Sequence, residues 1–323
     1  MESSQARSRH QVSNRSGKNE VHKDLFVLKE TDAREREAVL RPQLSYWADV
    51  RRRLFKNKLA VFGLIVLILL MAMAAVGPML TPYGPGDQVL QDQNKKPSAK
   101  HWFGTDELGR DVFVRTWYGA RVSLFVGFAA AVIDVLIGVI YGGVSGYKGG
   151  RTDHMMMRIV EILYGLPYLL TVILIMVVMG PGLVTIIVAL TVTGWVGMAR
   201  IVRGQVLQLK NYEYVLAARS LGASSARIIR KHLIPNAMGP IIVQMTLTVP
   251  SAIFAEAFLS FLGLGVQSPF ASWGTMANDA LPTITSGYWW RLFFPAFFIS
   301  LTMFAFNVLG DGLQDALDPK LRK

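Results

Sequence analysis

Three carboxylates, Asp134, Glu161 and Glu256, stand inside long apolar stretches of a 323-residue chain in which only 17% of residues are charged. Charged groups in hydrocarbon are costly, so by default they mark solute paths, proton relays or contacts between helices. Glu161 has a plain partner in Arg158, three residues earlier and therefore a neighbour on one helix face. Glu256 shares its stretch with Gln244, Thr246, Thr248 and Ser251, polar groups suited to the wall of a path. Hydrogen bonding between helices accounts for the same residues equally well. Other chemistries lack their residues. The chain has no cysteine and no G-x-x-x-x-G-K-[ST], H-E-x-x-H or G-x-S-x-G pattern, so neither a phosphate-cradling loop nor a zincin or esterase site is encoded. His10, His22, His101, His154 and His232 are scattered over tail and loops, which leaves no metal constellation.

Two segments outside the apolar stretches carry recognisable patterns. Residues 101–111 mix His101, Trp102 and Phe103 with Asp106, Glu107, Arg110 and Asp111 around two glycines, Gly104 and Gly109. The acids do not fall at the alternating positions of a calcium loop. A structured cap is the expectation, with Asp106 or Glu107 paired to Arg110 or turned outward to receive a docking protein. Residues 213–236 read as helix, glycine, helix. Helix formers run to Leu221, Gly222 offers a left-handed C-cap, Ser224 caps a second short helix, and Pro235 is expected to stop it. Ala217 and Ala218 permit close approach by a partner, and Ile228 and Leu233 offer apolar anchors.

These segments must be positioned by membrane-spanning helices. The chain is 52% hydrophobic with a mean hydropathy of +0.35. A bilayer core needs about 20 apolar residues in a helix. Six stretches qualify: 59–80, 123–147, 155–179, 183–201, 238–264 and 292–309, the third and fifth interrupted by prolines that invite kinks. Flanking Lys and Arg number 19 on one side and 7 on the other, which places both termini in the cytoplasm. The net charge of +12 follows from this asymmetry and calls for no nucleic acid. Residues 1–44 read as a polar, flexible cytoplasmic tail without a cleavable signal. Residues 45–58 read as an interfacial helix whose apolar face is Tyr46, Trp47, Val50 and Leu54. Residues 81–122 form the outer cap, and 123–323 the five-helix remainder, with the helix–glycine–helix loop at about 211–236.

The loop resembles the EAA loop of ABC-importer permeases through Ala217, Ala218, Gly222 and the ending Leu233-Ile234-Pro235, with Leu216 where the family has an acid. The 101–111 segment, Tyr118-Gly119-Ala120-Arg121, and the run Asn307-Val308-Leu309-Gly310-Asp311-Gly312 are similar to the C-type permeases of oligopeptide and dipeptide importers, most closely those of Gram-positive bacteria. The resemblance covers about residues 45–323. It implies an all-α, polytopic, type I ABC-importer permease fold in the bacterial plasma membrane. It further implies a homologous second permease, two ABC ATPases that bring ATP and magnesium, an external peptide-binding protein, and no cofactor or catalysis in this chain. Ala217, Ala218, Gly222, Ile228, His232 and Pro235 become candidates for ATPase coupling. Gln244, Thr248, Ser251 and Glu256 become candidates for the translocation path, and Asp106, Glu107 and Arg110 for binding-protein docking. Dipeptides, nickel chelates or another small solute are alternative cargoes. A proton-coupled secondary transporter using Asp134 and Glu256 is the rival of a different class. It predicts an internal repeat, which the sequence lacks.

Overall fold

The computed structural model describes residues 46–266 and 270–318. The 1–44 tail lies outside the described residues. Among the described residues twelve α-helices follow in order: α1 Tyr46–Lys56, α2 Lys58–Val76, α3 Val112–Lys148, α4 Gly150–Gly165, α5 Tyr168–Met179, α6 Leu183–Leu209, α7 Glu213–Ser220, α8 Ser225–Ile228, α9 Ile234–Asn236, α10 Met238–Leu259, α11 Trp273–Ala280 and α12 Trp290–Leu317. Among the described residues, five helices are long and apolar enough to cross a membrane. A sixth crossing is formed if α4 and α5, bent by 85° at their junction, are taken as one. The bend falls at Leu166 and Pro167, where the proline denies the backbone its next hydrogen bond.

Three helices run beyond the bounds that hydropathy suggests, one of them because its arginines find partners. The second span was expected to start at 123, yet α3 starts at Val112, where Asp111 caps it by accepting from Val114 N at 3.0 Å. Arg115 and Arg121 interrupt the apolar pattern. Both are satisfied by other elements of the fold: Arg121 Nε donates to Ala74 O at 2.6 Å, and Arg115 pairs with Asp106 and Asp279. The cap therefore ends at Asp111, and Tyr118, Gly119, Ala120 and Arg121 lie in the helix. Likewise α6 runs past 201 to Leu209, and α12 runs past 309 to Leu317, taking Gly310, Asp311 and Gly312 into the helix.

Packing between α3 and α6 is backbone to backbone. Gly138, Gly142 and Gly146 recur every fourth residue and so share one face of α3. A Cβ on Gly142 would lie 2.3 Å from Ala199 O, a contact that excludes any side chain. Close approach through small residues is how helices associate where lipid removes the hydrophobic driving force. On the other side, α3 meets α2, α10, α11 and α12 around Trp117, Trp273, Phe298 and Phe306. Helix α1 sets its apolar side on the end of α12, Val50 packing against Ala316 and Leu317. Asn57 then caps α2, accepting from Leu59 N and Ala60 N. The 211–236 loop and the 81–111 cap occupy opposite ends of the bundle, called here the loop end and the cap end.

Candidate functional site

At the loop end, α6 passes through Lys210 into α7, which closes with Leu221 N on Ala217 O and Ala223 N on Ala218 O, each at 3.0 Å. Gly222 sits at φ +80°. A Cβ there would meet nothing within 4 Å, so the backbone angle alone requires glycine. Ser224 Oγ accepts from Arg227 N at 3.4 Å and starts α8. The chain then widens into a π-turn over Ile229–Leu233. Pro235 does not stop this helix as expected. The π-turn releases a backbone partner, and Pro235 occupies the first turn of α9, where a missing N–H goes unnoticed.

Ile228 and Leu233 also differ from the sequence reading. Both are fully buried, packing with Val215, Val202, Val206 and Ile241 of the same chain, so they anchor the loop onto α6 and α10. What remains outward is Leu221 at 88% exposure, with Tyr212, Tyr214, Leu216 and Ala217. His232 is half-buried, its ring 6.3 Å from that of Tyr214. Burial pushes the Tyr214 phenol up. Two ties fix the loop's base. Lys210 Nζ donates to Gly146 O at 2.8 Å, and Arg203 grips Asp153 through both carboxylate oxygens at 2.6 Å, with Ser145 Oγ donating to the same carboxylate at 2.5 Å. Asp153 and Arg203 were not singled out from sequence. The signal was there, since a carboxylate within a basic flank needs a partner.

Midway along the bundle lies a groove of about 390 Å³ lined by Asp134, Tyr168, Gly194, Gln244, Thr248 and Ser251. At 100° per residue Gln244, Thr248 and Ser251 fall on one face of α10. Glu256 is about 80° from Thr248 and about 140° from Ser251 on that wheel, and it is not among the residues that line the groove. It is fully buried and accepts from Ser123 Oγ at 2.9 Å and Ser260 Oγ at 2.7 Å, joining α10 to α3. Glu256 is thus withdrawn from the path candidates and Asp134 takes its place. Gly194 makes room for that carboxylate, since a Cβ would lie 2.4 Å from Asp134 Oδ2.

At the cap end two of the three docking candidates, Asp106 and Arg110, face inward. Asp106 Oδ1 accepts from Leu108 N and Arg110 N, and Asp106 Oδ2 accepts from Arg110 Nε at 2.6 Å. Asp106 and Arg110 are both more than nine-tenths buried. Glu107, partly exposed, pairs with Arg110 at 3.4 Å and with Arg291. Asp279 of α11 receives Arg115 at 3.5 Å and Arg110 at 3.7 Å. Burial pushes its carboxyl up, against the pull of the two guanidinium groups. The cluster stitches the cap to α3, α11 and α12, and Asp106 and Arg110 present no docking surface in this chain. Beside it, His101 lies between Asp111 (2.8 Å) and Asp92 (3.4 Å), stacked on Tyr83.

Residues 134–323 match the family described as the inner membrane component of binding-protein-dependent transport systems. Residues 45–97 match the N-terminal transmembrane domain of oligopeptide transport permease C. The dipeptide transport system permease protein DppC of Bacillus subtilis is 73% identical over 305 residues, covering 94% of this chain and 95% of that protein. The oligopeptide transport system permease protein OppC of the same organism is 60% identical over 303 residues, covering 94% and 99%. OppC of Escherichia coli K12 is 45% identical over 280 residues, covering 86% and 92%. Among solved structures, an inward-facing MetNI methionine ABC transporter chain aligns with a TM-score of 0.51 at 21% identity, over 62% of this chain and 94% of that one, a likeness of fold.

Proposed function

The chain belongs to the binding-protein-dependent transport system inner membrane components, a multi-pass membrane family, and on that premise we propose that it is a permease subunit of an ATP-driven peptide importer. The observation that carries the reading is the 213–236 element. It is rigidly seated on α6 and α10 through Val215, Ile228 and Leu233, yet it offers an unpartnered apolar tip at Leu221. A surface of that kind suits a cytoplasmic ATPase, and hydrolysis of ATP with magnesium belongs to that partner. Closure of two such ATPases would push the loop, and the ties of Lys210 and Arg203 pass the push to α3 and α6 together. Rigid-body rocking of packed helices then switches access to the path. A homologous second permease would complete the path, and an external binding protein would deliver the cargo. The loop end and both chain ends then lie in the cytoplasm.

The cargo is a peptide, the class named for both Bacillus subtilis relatives. Proton-coupled transport is disfavoured because the two carboxylates it would use do not share a path, Asp134 facing the groove and Glu256 locked between serines. The test is uptake of a labelled peptide into vesicles reconstituted with the whole complex. Uptake should require ATP and both ATPases. Uptake driven by a proton gradient without ATP would overturn the reading.

A further inference from the structure

The groove beside Asp134 has a one-sided charge: a single carboxylate and no cationic side chain among the described residues. Asp134 is 4% exposed, and its Oδ1 has no hydrogen-bond partner among the described residues. Thr248 Oγ1 donates its proton to Gln244 O at 2.9 Å, and Ser251 Oγ donates to Leu247 O at 3.0 Å. Both hydroxyls have therefore spent their donors on their own helix and turn only lone pairs to the groove. No lysine, arginine or histidine lines it among the described residues. An anion would find few donors here. A metal ion would find a single carboxylate in a space of about 390 Å³, far larger than it needs. That volume lies in the usual range of small organic ligands, about 300–1,000 Å³. Tyr168 and the Gln244 side-chain amide supply neutral donors to the same lining, so Asp134 is its one charged group. The occupant best matched to that carboxylate and the two hydroxyl acceptors is an organic cation with several N–H donors.

We infer that this groove receives the protonated amino terminus of the transported peptide, with Asp134 Oδ1 as its counter-ion and Thr248 and Ser251 as further acceptors; this rests on the peptide-importer reading. A peptide α-amino group, with a pKa of about 7.7–8.0, is mostly cationic at neutral pH. A charge-assisted bond to a shielded carboxylate is among the stronger hydrogen bonds. Side chains further along the peptide would meet the apolar and polar wall without a matching set of groups. The site would thus read a feature that unmodified peptides share whatever their side chains.

The test uses the whole complex in vesicles and two tripeptides that keep a free amine, one with a diazirine side chain at the first residue and one with it at the third. After illumination under ATP turnover, cross-links in this chain are mapped by mass spectrometry. The first-residue label should mark residues 244–255 and the neighbourhood of Asp134, several-fold above the third-residue label. Asp134→Asn should lower that yield about tenfold, as loss of a charge-assisted bond implies. Thr248→Val, which keeps shape and removes an acceptor, should lower it by a smaller factor and decides the matter if Asp134→Asn does not assemble. Equal yields from the two labels, or a first-residue yield unmoved by Thr248→Val and by any Asp134→Asn complex recovered, would overturn the inference. Absence of ATP-driven accumulation of either tripeptide by the unaltered complex would instead bring down the peptide reading, and the inference with it.

Discussion

Arg203 holds Asp153 with two parallel hydrogen bonds, Nε to Oδ1 and Nη2 to Oδ2, both 2.6 Å long, fastening the α3–α4 junction to α6 just before the 211–236 loop begins. Planar pairing of this kind fixes orientation as well as distance. Arg203→Ala leaves the nearly buried carboxylate with Ser145 alone. It should cost about 1–3 kcal/mol, the penalty of a buried charged group losing its partner. A thermal-shift measurement on the purified complex checks this. The double variant with Asp153→Ala should cost less than the sum of the two single changes, because the orphaned charge is gone.

Gly222→Val should separate folding from coupling. A β-branched residue at φ +80° adds about 1–2 kcal/mol of local strain. The position is open, so nothing clashes. Membrane insertion should persist while peptide-stimulated ATP hydrolysis and uptake fall. Unaltered uptake would remove the turn from the coupling element.

The cap should loosen in acid. Lys100 and then Lys95 hydrogen-bond Asp92 and hold its carboxyl well below the usual carboxylate range. A lowered folded pKa contributes stability that is complete above the unfolded value of roughly 3.9 and is lost as pH falls through the folded one. Limited proteolysis of the 81–111 segment should therefore accelerate as pH drops below about 4. Asp92→Asn should be cut faster at neutral pH and show a smaller acid effect.

Orientation is open to labelling, because the chain has no cysteine of its own. Gln93→Cys and Ser224→Cys place thiols at exposed positions on opposite ends of the bundle. An impermeant maleimide should modify the first in intact cells and the second only after permeabilisation. The reverse pattern would invert the proposed topology.

The turn at Gly222 and the cap at Ser224 were readable because they are local: each is decided by residues within one helical turn. The kink at Pro167 was readable for the same reason. The start of α3 was not, because Arg115 and Arg121 look like the end of an apolar span until Asp279 and the carbonyls of Ala74 and Ala75 are seen to receive them. Ile228 and Leu233 illustrate the same limit: apolar residues near a loop look alike whether they seat it or serve a partner. Glu256 is different. At 100° per residue it stands about 80–140° from Gln244, Thr248 and Ser251, so the sequence hinted at its displacement, and its hydrogen bonds to Ser123 and Ser260 complete it. The burial of Asp106 and Arg110 depends on α11, some 170 residues away, and no local pattern announces it.

Helix α3 is 37 residues long, a rod of about 55 Å. Its stretch 122–147, uncharged apart from Asp134, accounts for about 39 Å of that length. This exceeds a hydrocarbon thickness of about 30 Å, and a mismatch of that size is absorbed by tilting. The first ten residues, about 15 Å of helix, have no place among acyl chains. With the apolar stretch set in a bilayer, they would form a post that lifts the cap clear of the hydrocarbon. Headgroup and water at that height lower the cost of gathering Arg110, Arg115, Arg291 and their acids in one place, so the length of a single helix sets the solvent in which the cap's ion pairs must operate.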